Sequence, residues 1–596
     1  MELLSDILLT FSLLALVSLA SSLLAFRLGA PLLLLFLVVG LLAGASPLAD
    51  YFKNPQTTFL LGSTALAVIL FESGFTTPWQ SYRVAAAPAL TLALLGTLIT
   101  AGITAAAAHY FLEMPWLQAA LLGAILSSTD AAAVFFLLRT GRITIRDRVR
   151  STLEIESGTN DPAAFLLVTT LLQIGSLMQM QGEHFMVVDV VKHLLWEIVA
   201  GLGVGWLGGR MIVAMINRLN FEPSLYPLIS LIFALFVFAV ADKLGGSAFL
   251  AIYVAGLVAG NSRMKNSHNV KKFHEGISWL AQLIMFLTLG MVADISRLHD
   301  LALPALALAF VLIFVARPVA ALACLLPFKF TGAETGFVGW VGLRGAVSVL
   351  LALLPLSQNM AGSGDIFTIT FLVVIYSLLS QGWTIRQVAE KLKLILPPQA
   401  GPAERMEFDI APDTSLELVA YKVHPDSLVA TGHDLPYWSK PALVLRQGRP
   451  ISLGDEAALE PHDKVYFFMD PLRLPVFDRL FGKPLANAGA EQEFFGDVVI
   501  DPSAKIIELL DDKERPQHPD IPDDLTIAEY FALRFRHDFE VGDRLQVGRF
   551  ELVIRAIAEG KISALGLAII PQDHTLFGHL IAATKNWRHA IRTWGT

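Results

Sequence analysis

The chain has 596 residues, of which 54% are hydrophobic and 16% charged, with a mean hydropathy of +0.59. Those values exclude an ordinary soluble protein and point to a membrane protein. The net charge of −8 comes from the C-terminal third, where residues from 405 onward carry 30 acidic against 21 basic side chains; this makes that part a poor candidate for binding nucleic acid or anionic lipid.

A hydrocarbon core about 30 Å thick takes roughly 20 apolar residues per helix, and such stretches recur from residue 5 to about 385. Thirteen candidate spans follow in chain order: 5–26, 30–47, 57–75, 85–111, 116–139, 153–178, 189–217, 223–241, 246–260, 277–294, 300–325, 333–354 and 364–385. The first has Glu2 and Asp6 where a secretory signal has positive charge, and no small-x-small cleavage site follows. It reads as a retained helix. Arg139, Arg142, Arg146, Arg148 and Arg150 crowd the loop after the fifth span, and Arg263, Lys265, Lys271 and Lys272 the loop after the ninth. Even-numbered loops hold scattered cations such as Lys53, Lys192, Lys243 and Arg297. The positive-inside rule then predicts an outer N-terminus and a cytoplasmic C-terminus. Cys324, the only cysteine, lies in an apolar span, so no disulfide framework or Cys-based metal site is expected, and no cofactor.

Two spans look discontinuous. AILSSTDAAAV (124–134) and GWVGLRGAVSVL (339–350) place Ser, Thr and Gly beside a charge in mid-span, where unwound backbone survives only if protein or water satisfies it. They are the fifth and twelfth spans, so they run in opposite directions, as in the inverted repeats that hold the sites of secondary transporters. Two independent glycine-rich packing helices are the alternative.

Mid-span ionisable residues cost about 2.5–3.5 kcal/mol each on insertion scales. Glu72, Asp130, Glu156, Asp161, Arg317 and Arg344 are the clearest. In ESGTNDP (156–162), Ser157 and Asp161 share one helix face while Glu156 and Asn160 share the adjacent one. An aspartate in lipid with no fixed cationic partner can hold a proton or a small cation in turn. A glutamate held by Arg344 or Arg317 is instead a charge-paired strut. Glu72, at the cytoplasmic end of the third span, reads as a solvated end charge or a functional one, Asp242 as an end charge, and Arg317, which precedes Pro318, as a group that neutralises free carbonyls or a broken-helix end.

ESGTNDP after SSTDAAAV, with GLRGAVSVL late in the membrane half, resembles the NhaP branch of the monovalent cation:proton antiporter-1 family. VILFESGF (68–75), GGSAFLAIYVAGLVAGN (245–261) and Arg317-Pro318 match too, so the likeness covers about 385 residues. It implies an all-helical polytopic membrane fold of the NhaA-like antiporter type, with about thirteen helices, inverted repeats and two crossed broken helices. It also implies a homodimer in the lipid bilayer of a bacterial inner membrane, whose core part moves against a dimerisation part. By motif position Asp161 is the proton- and cation-binding carboxylate, Thr129, Asp130 and Ser157 line or ligate the site, and Glu156 and Asn160 form a polar cluster with Arg344. Asn160 stands where electrogenic relatives carry a second Asp, which implies one-for-one, electroneutral exchange.

After a linker over 386–405 the chain becomes mixed and charged, with strand-like alternation and Pro/Gly/Asp turns, and C-terminal cytoplasmic α+β domains are expected: residues 406–475 resemble the TrkA-C domain, as in SLGDEAALEPHDKVYFF (452–468). Residues 476–573, with FFGDVVI, DDLTIAEYF and EVGDRLQVGRFELVIRAI, resemble the CorC/HlyC transporter-associated domain, and 574–596 could form an amphipathic helix. No GxGxxG follows a strand, so no nucleotide-binding half precedes the TrkA-C-like part. The order matches potassium/proton antiporters of Gram-negative bacteria, which favours K⁺ over Na⁺, Li⁺ or Rb⁺ as the cation exchanged for H⁺. A small ligand or ion acting on the tail, or a passive assembly role, are the two readings of the C-terminal part. The rivals are a Na⁺/H⁺ antiporter of the same fold, a gated potassium channel, which the missing TVGYG-like filter opposes, and a receptor on a transporter scaffold. No P-loop supports a primary pump or an enzyme.

Overall fold

The structure, a computed structural model, describes residues 12–20, 32–44, 54–140, 143–181, 187–219 and 222–396, and shorter stretches between 404 and 569. The candidate helix at 574–596 and most of the first candidate span lie outside the described residues. The chain divides into two compact units, one built on Met1–Pro398 and one holding most of the tail.

The first unit is helical: α1 Leu32–Gly44, α2 Pro55–Thr76, α3 Trp79–Thr91, α4 Thr97–Leu112, α5 Trp116–Ile125, α6 Ala131–Thr140, α7 Asp147–Gln181, α8 Val187–Arg218, α9 Tyr226–Lys243, α10 Ala248–Gly260, α11 Ser267–Val292, α12 Ile295–Val311, α13 Arg317–Leu325, α14 Gly332–Trp340, α15 Ala346–Ser357, α16 Ser363–Gly382 and α17 Ile385–Lys391. Eight of the continuous helical segments are long and apolar enough to cross a bilayer, and α1, α5, α10 and α15 are shorter apolar helices. Large side chains such as Leu98, Trp206, Leu303 and Phe310 are exposed on the outside of the helices. That pattern suits lipid, which satisfies apolar surface but no backbone polar group, so the chain spans only as helix.

The helices sort into two bundles. In the first, α10 packs chiefly on α2 and α8, and α11 on α1 and α2, with α9 alongside. In the second, α3 packs on α7, α4 on α5, α12 on α16, and α13 on α14. The second bundle carries an internal echo. Helices α3 and α4 are joined by a π-helical turn at Leu92–Gly96, and α12 and α13 by one at Leu312–Ala316, each with a proline upstream, Pro88 and Pro304. Each pair is followed by a broken span, α5–α6 and α14–α15, and then by a long helix, α7 and α16. This is the inverted-repeat pattern that the two discontinuous spans implied.

Several boundaries differ from expectation: α3 begins at Trp79 rather than 85, α7 at Asp147 rather than 153, with Arg148 and Arg150 inside it, and α12 at Ile295 rather than 300; the largest difference is at α11. Helix α11 begins at Ser267, ten residues before the span expected at 277, with Lys271 and Lys272 inside it. Those cations had been assigned to a loop; with His268 they form a polar extension of an otherwise apolar helix, which apolarity alone does not detect.

In the tail, β1 Glu404–Glu407, β2 Glu417–Lys422, β3 Leu443–Arg446, β4 Arg449–Ile451 and β5 Lys464–Met469 form one sheet in the order β1-β2-β5-β3-β4. A second, antiparallel throughout, is built from β6 Val498–Ile500, β7 Arg544–Val547, β8 Phe550–Ala558 and β9 Lys561–Ile569 in the order β6-β9-β8-β7. Its core joins Leu552, Ile554 and Leu565 to Ile527, Tyr530 and Phe531 of α18 Ile527–Phe535.

Candidate ion-binding site

Helix α5 ends at Ile125, and α6 starts again at Ala131; the backbone between them is not helical. The second break lies between Trp340 and Ala346. The breaks satisfy each other. Arg344 donates from Nη1 to the carbonyls of Ser127 and Ser128, both at 2.7 Å, and the Asp130 N–H donates to the Leu343 carbonyl at 2.8 Å. Around the second break, the Arg344 N–H donates to Ser377 Oγ, and Gln381 donates to the Trp340 carbonyl. Asp130 accepts the Ala133 N–H at 3.1 Å, so it caps α6. The two breaks touch at Gly345, where a Cβ would lie 2.3 Å from Asp130 Oδ2; only glycine permits that approach.

Helix α7 brings the rest. Ser157 Oγ accepts the Ala131 N–H at 3.1 Å and donates to the Thr129 carbonyl at 3.0 Å. Asn160 Nδ2 donates to Thr129 Oγ1 at 2.5 Å, leaving its buried Oδ1 without a hydrogen-bond partner. Asp161, 8% exposed, accepts from Ser128 Oγ at 2.5 Å. Pro162 lacks an N–H, so the Gly158 carbonyl one turn back is deprived of its helical donor. Thr129, Asp130, Ser157, Asn160 and Asp161, expected to be near one another, are brought together at the first break.

The expected joining of Glu156 to Arg344 takes another form. Glu156 is buried against Arg317: Nη2 donates to Oε2 at 2.9 Å and Nη1 lies 2.6 Å from Oε1, off the hydrogen-bonding axis. Arg344 is spent on the carbonyls of the opposite break. The reason is geometric: Arg317 follows a π-helical turn in the neighbouring span, and a π-turn rotates the residues after it relative to an ideal helix. Sequence reasoning considered Arg317 as a partner for Glu156 but assigned it to carbonyls or a helix end, and it left Ser128 out. The SST run at 127–129 was the available signal for the latter.

No lysine or arginine pairs with Asp161 among the described residues, whereas Glu156 has Arg317. The site is thus one buried carboxylate with no arginine of its own, ringed by hydroxyl, amide and carbonyl oxygens, where two broken helices cross. Such oxygens suit a small cation, and the carboxylate suits a proton.

Two broken helices from opposed repeats, crossing at a buried carboxylate, define a secondary ion transporter of the antiporter type. The chain belongs to the sodium/hydrogen exchanger family, whose transmembrane model matches residues 12–391. It is 38% identical over 579 residues to a K(+)/H(+) antiporter NhaP of Alkalimonas amylolytica, covering 95% of this chain and 99% of that one. It is 36% identical over 577 residues to a K(+)/H(+) antiporter NhaP2 of Shewanella baltica, covering 95% and 98%. In fold it is similar to the sodium proton antiporter MjNhaP1 of Methanocaldococcus jannaschii, with a TM-score of 0.59 and 22% identity over 65% of this chain and 99% of that one.

Proposed function

We propose that the protein exports cytoplasmic K⁺ in exchange for H⁺, with Asp161 holding the proton and the cation in turn and Ser157, Thr129 and Asp130 completing or lining the cation's shell. The observation that carries this reading is the division between the two carboxylates of one helix turn: Glu156 is neutralised by Arg317 and Asp161 is not. A fixed charge pair cannot carry a proton across; a carboxylate shared only with a serine can. K⁺ rests on the two relatives named as K(+)/H(+) antiporters over nearly the full length of the chain. Electroneutral exchange rests on Asn160 in place of a second acid. Na⁺ exchange is the second reading, supported by the family model and by the sodium-transporting fold neighbour.

The same reading takes the protein as a homodimer in a bacterial inner membrane, with its C-terminus in the cytoplasm, and its tail as a regulatory module of TrkA-C-like and CorC/HlyC-like parts. A local feature supports regulation. The strand Ile395–Leu396, which closes the membrane unit, pairs with Thr144–Ile145 in the loop that joins α6 to α7, both of them helices of the ion site. A force on residue 396 is delivered to that loop.

The test is cation-induced dissipation of ΔpH in everted vesicles with K⁺, Na⁺, Li⁺ and Rb⁺, for wild type and Asp161→Asn. Cation-dependent proton flux that dies in the variant is expected, with K⁺ the best substrate. Undiminished flux in Asp161→Asn would end the carrier assignment.

A further inference from the structure

In ESGTNDP, the Gly158 Cα and the Thr159 side chain have no task in the ion site. Both meet Tyr253 of α10. A Cβ on Gly158 would lie 2.5 Å from Tyr253 Cε2 and 2.7 Å from its Oη, so the ring lies flush on the helix at the position next to Ser157. Tyr253 is 3% exposed, its hydroxyl is 2.7 Å from that of Tyr82 on α3, and Thr159 lies beside both phenols. The placement matters because of the bundles. Tyr82 and Thr159 stand on α3 and α7, which pack on each other in the second bundle, whereas Tyr253 stands on α10, which packs chiefly on α2 and α8 in the first. A ring from one bundle is therefore seated on the other, three residues before Asp161, and held there by hydroxyls.

We propose that Tyr253 is a latch residue: its seat on Gly158 and its bond to the Tyr82 hydroxyl stabilise one arrangement of the two bundles and must release in each exchange cycle. The inference rests on the antiport reading, in which the bundle bearing Asp161 moves against the other. A latch that favours one state sets the apparent cation affinity without touching the cation, because binding is weighted by the population of the competent state. Tyr253 is on this account a positioning residue.

Tyr253→Phe, Tyr82→Phe and the double variant keep the rings and remove only hydroxyls. In everted vesicles, each single variant is expected to shift the half-saturating K⁺ concentration about two- to tenfold in the same direction, the range one net hydrogen bond gives an equilibrium constant. The double variant shifts it no further than the larger single effect, because both remove the same bond. Gly158→Ala is expected to slow exchange at least tenfold, since its Cβ meets the ring, and Tyr253→Leu in that background to restore part of the rate. Shifts that multiply in the double variant, K⁺ dependence indistinguishable from wild type in all three, or no rescue of Gly158→Ala would overturn the latch while leaving antiport intact. Exchange that ignores Asp161→Asn fails the antiport reading, and the latch with it.

Discussion

Replacing Arg317 by Met tests the claim that Glu156 is a strut. In the native chain both side chains are buried, with exposures of 4% and 2%, and joined by contacts of 2.6 and 2.9 Å. Methionine fills similar volume and removes the charge, so Glu156 is left buried without its partner. Breaking a buried pair by removing one partner costs about 3–5 kcal/mol, a factor on the order of 10²–10³ in a folding equilibrium at about 1.4 kcal/mol per decade. The pair itself gains little net stability, because both ions lose hydration, so Glu156→Gln with Arg317→Met should recover most of the loss. Thermal melting of the detergent-solubilised protein, followed by size-exclusion monodispersity, reads this directly: the single variant melts several degrees low and the double variant returns toward wild type. If the single variant melts with wild type, or if the two losses simply add, Arg317 is not the partner that holds Glu156.

Arg344→Ala should impair folding and exchange together, since it strips the donor from two buried carbonyls, each worth about 1–3 kcal/mol when unsatisfied; a lower melting temperature with lost K⁺-dependent flux checks this. In the tail, burial raises the Asp463 carboxyl, but hydrogen bonds from Arg446 and the Glu460 N–H, with the Arg446 charge, outweigh it and hold the group below the usual carboxylate range. A depressed folded-state value contributes stability that is present above the unfolded value and is lost as pH falls through the folded one. Protection factors in Leu443–Arg446 and Lys464–Met469 of the full-length protein, taken relative to the intrinsic exchange rate at each pH, should therefore fall below about pH 5, and Asp463→Asn should flatten that dependence.

The polar residues of the ion site were legible because lipid makes them expensive: Asp130, Glu156, Asp161 and Arg344 stand out in apolar runs, and SSTD and GLRG mark where helix gives way. The unwound stretches at 126–130 and 341–345 fall inside the two expected discontinuities. The pairing of charges was not legible. Which arginine reaches Glu156 depends on a π-turn at Leu312–Ala316, and nothing in LIFVA distinguishes five π residues from five α residues. The strand pair Thr144–Ile145 with Ile395–Leu396 was equally hidden, because two residues give no periodicity to read. Tyr253 was missed for a different reason: in IYVAGLVAG it reads as one more large side chain of a packing helix, and only the glycine it lies on makes its place unusual.

On the proposed reading, the reciprocity of the breaks accounts for a single acid left for transport. Each break frees backbone groups that lipid cannot satisfy, and each supplies what the other lacks. Arg344 of the second serves carbonyls of the first, and the Asp130 N–H of the first serves the Leu343 carbonyl of the second. Asp130 is further occupied as the cap of α6 and Glu156 by Arg317. Arg344, Arg317 and Glu156 are thus committed to structure and one oxygen of Asp130 to the cap, and on the proposed reading Asp161 is left with a serine hydroxyl that a cation or a proton can rival. Under this logic an acid restored at position 160 would fall among groups already matched, beside Thr129 and one residue from Asp161. It would bring a second negative charge into the site with no committed arginine, so Asn160→Asp should raise the charge carried per cycle rather than the affinity alone. Proteoliposomes under an imposed membrane potential decide it: exchange by the variant should respond to the potential where wild type does not, and two indistinguishable responses would refute the assignment of Asn160 as the residue that keeps exchange electroneutral.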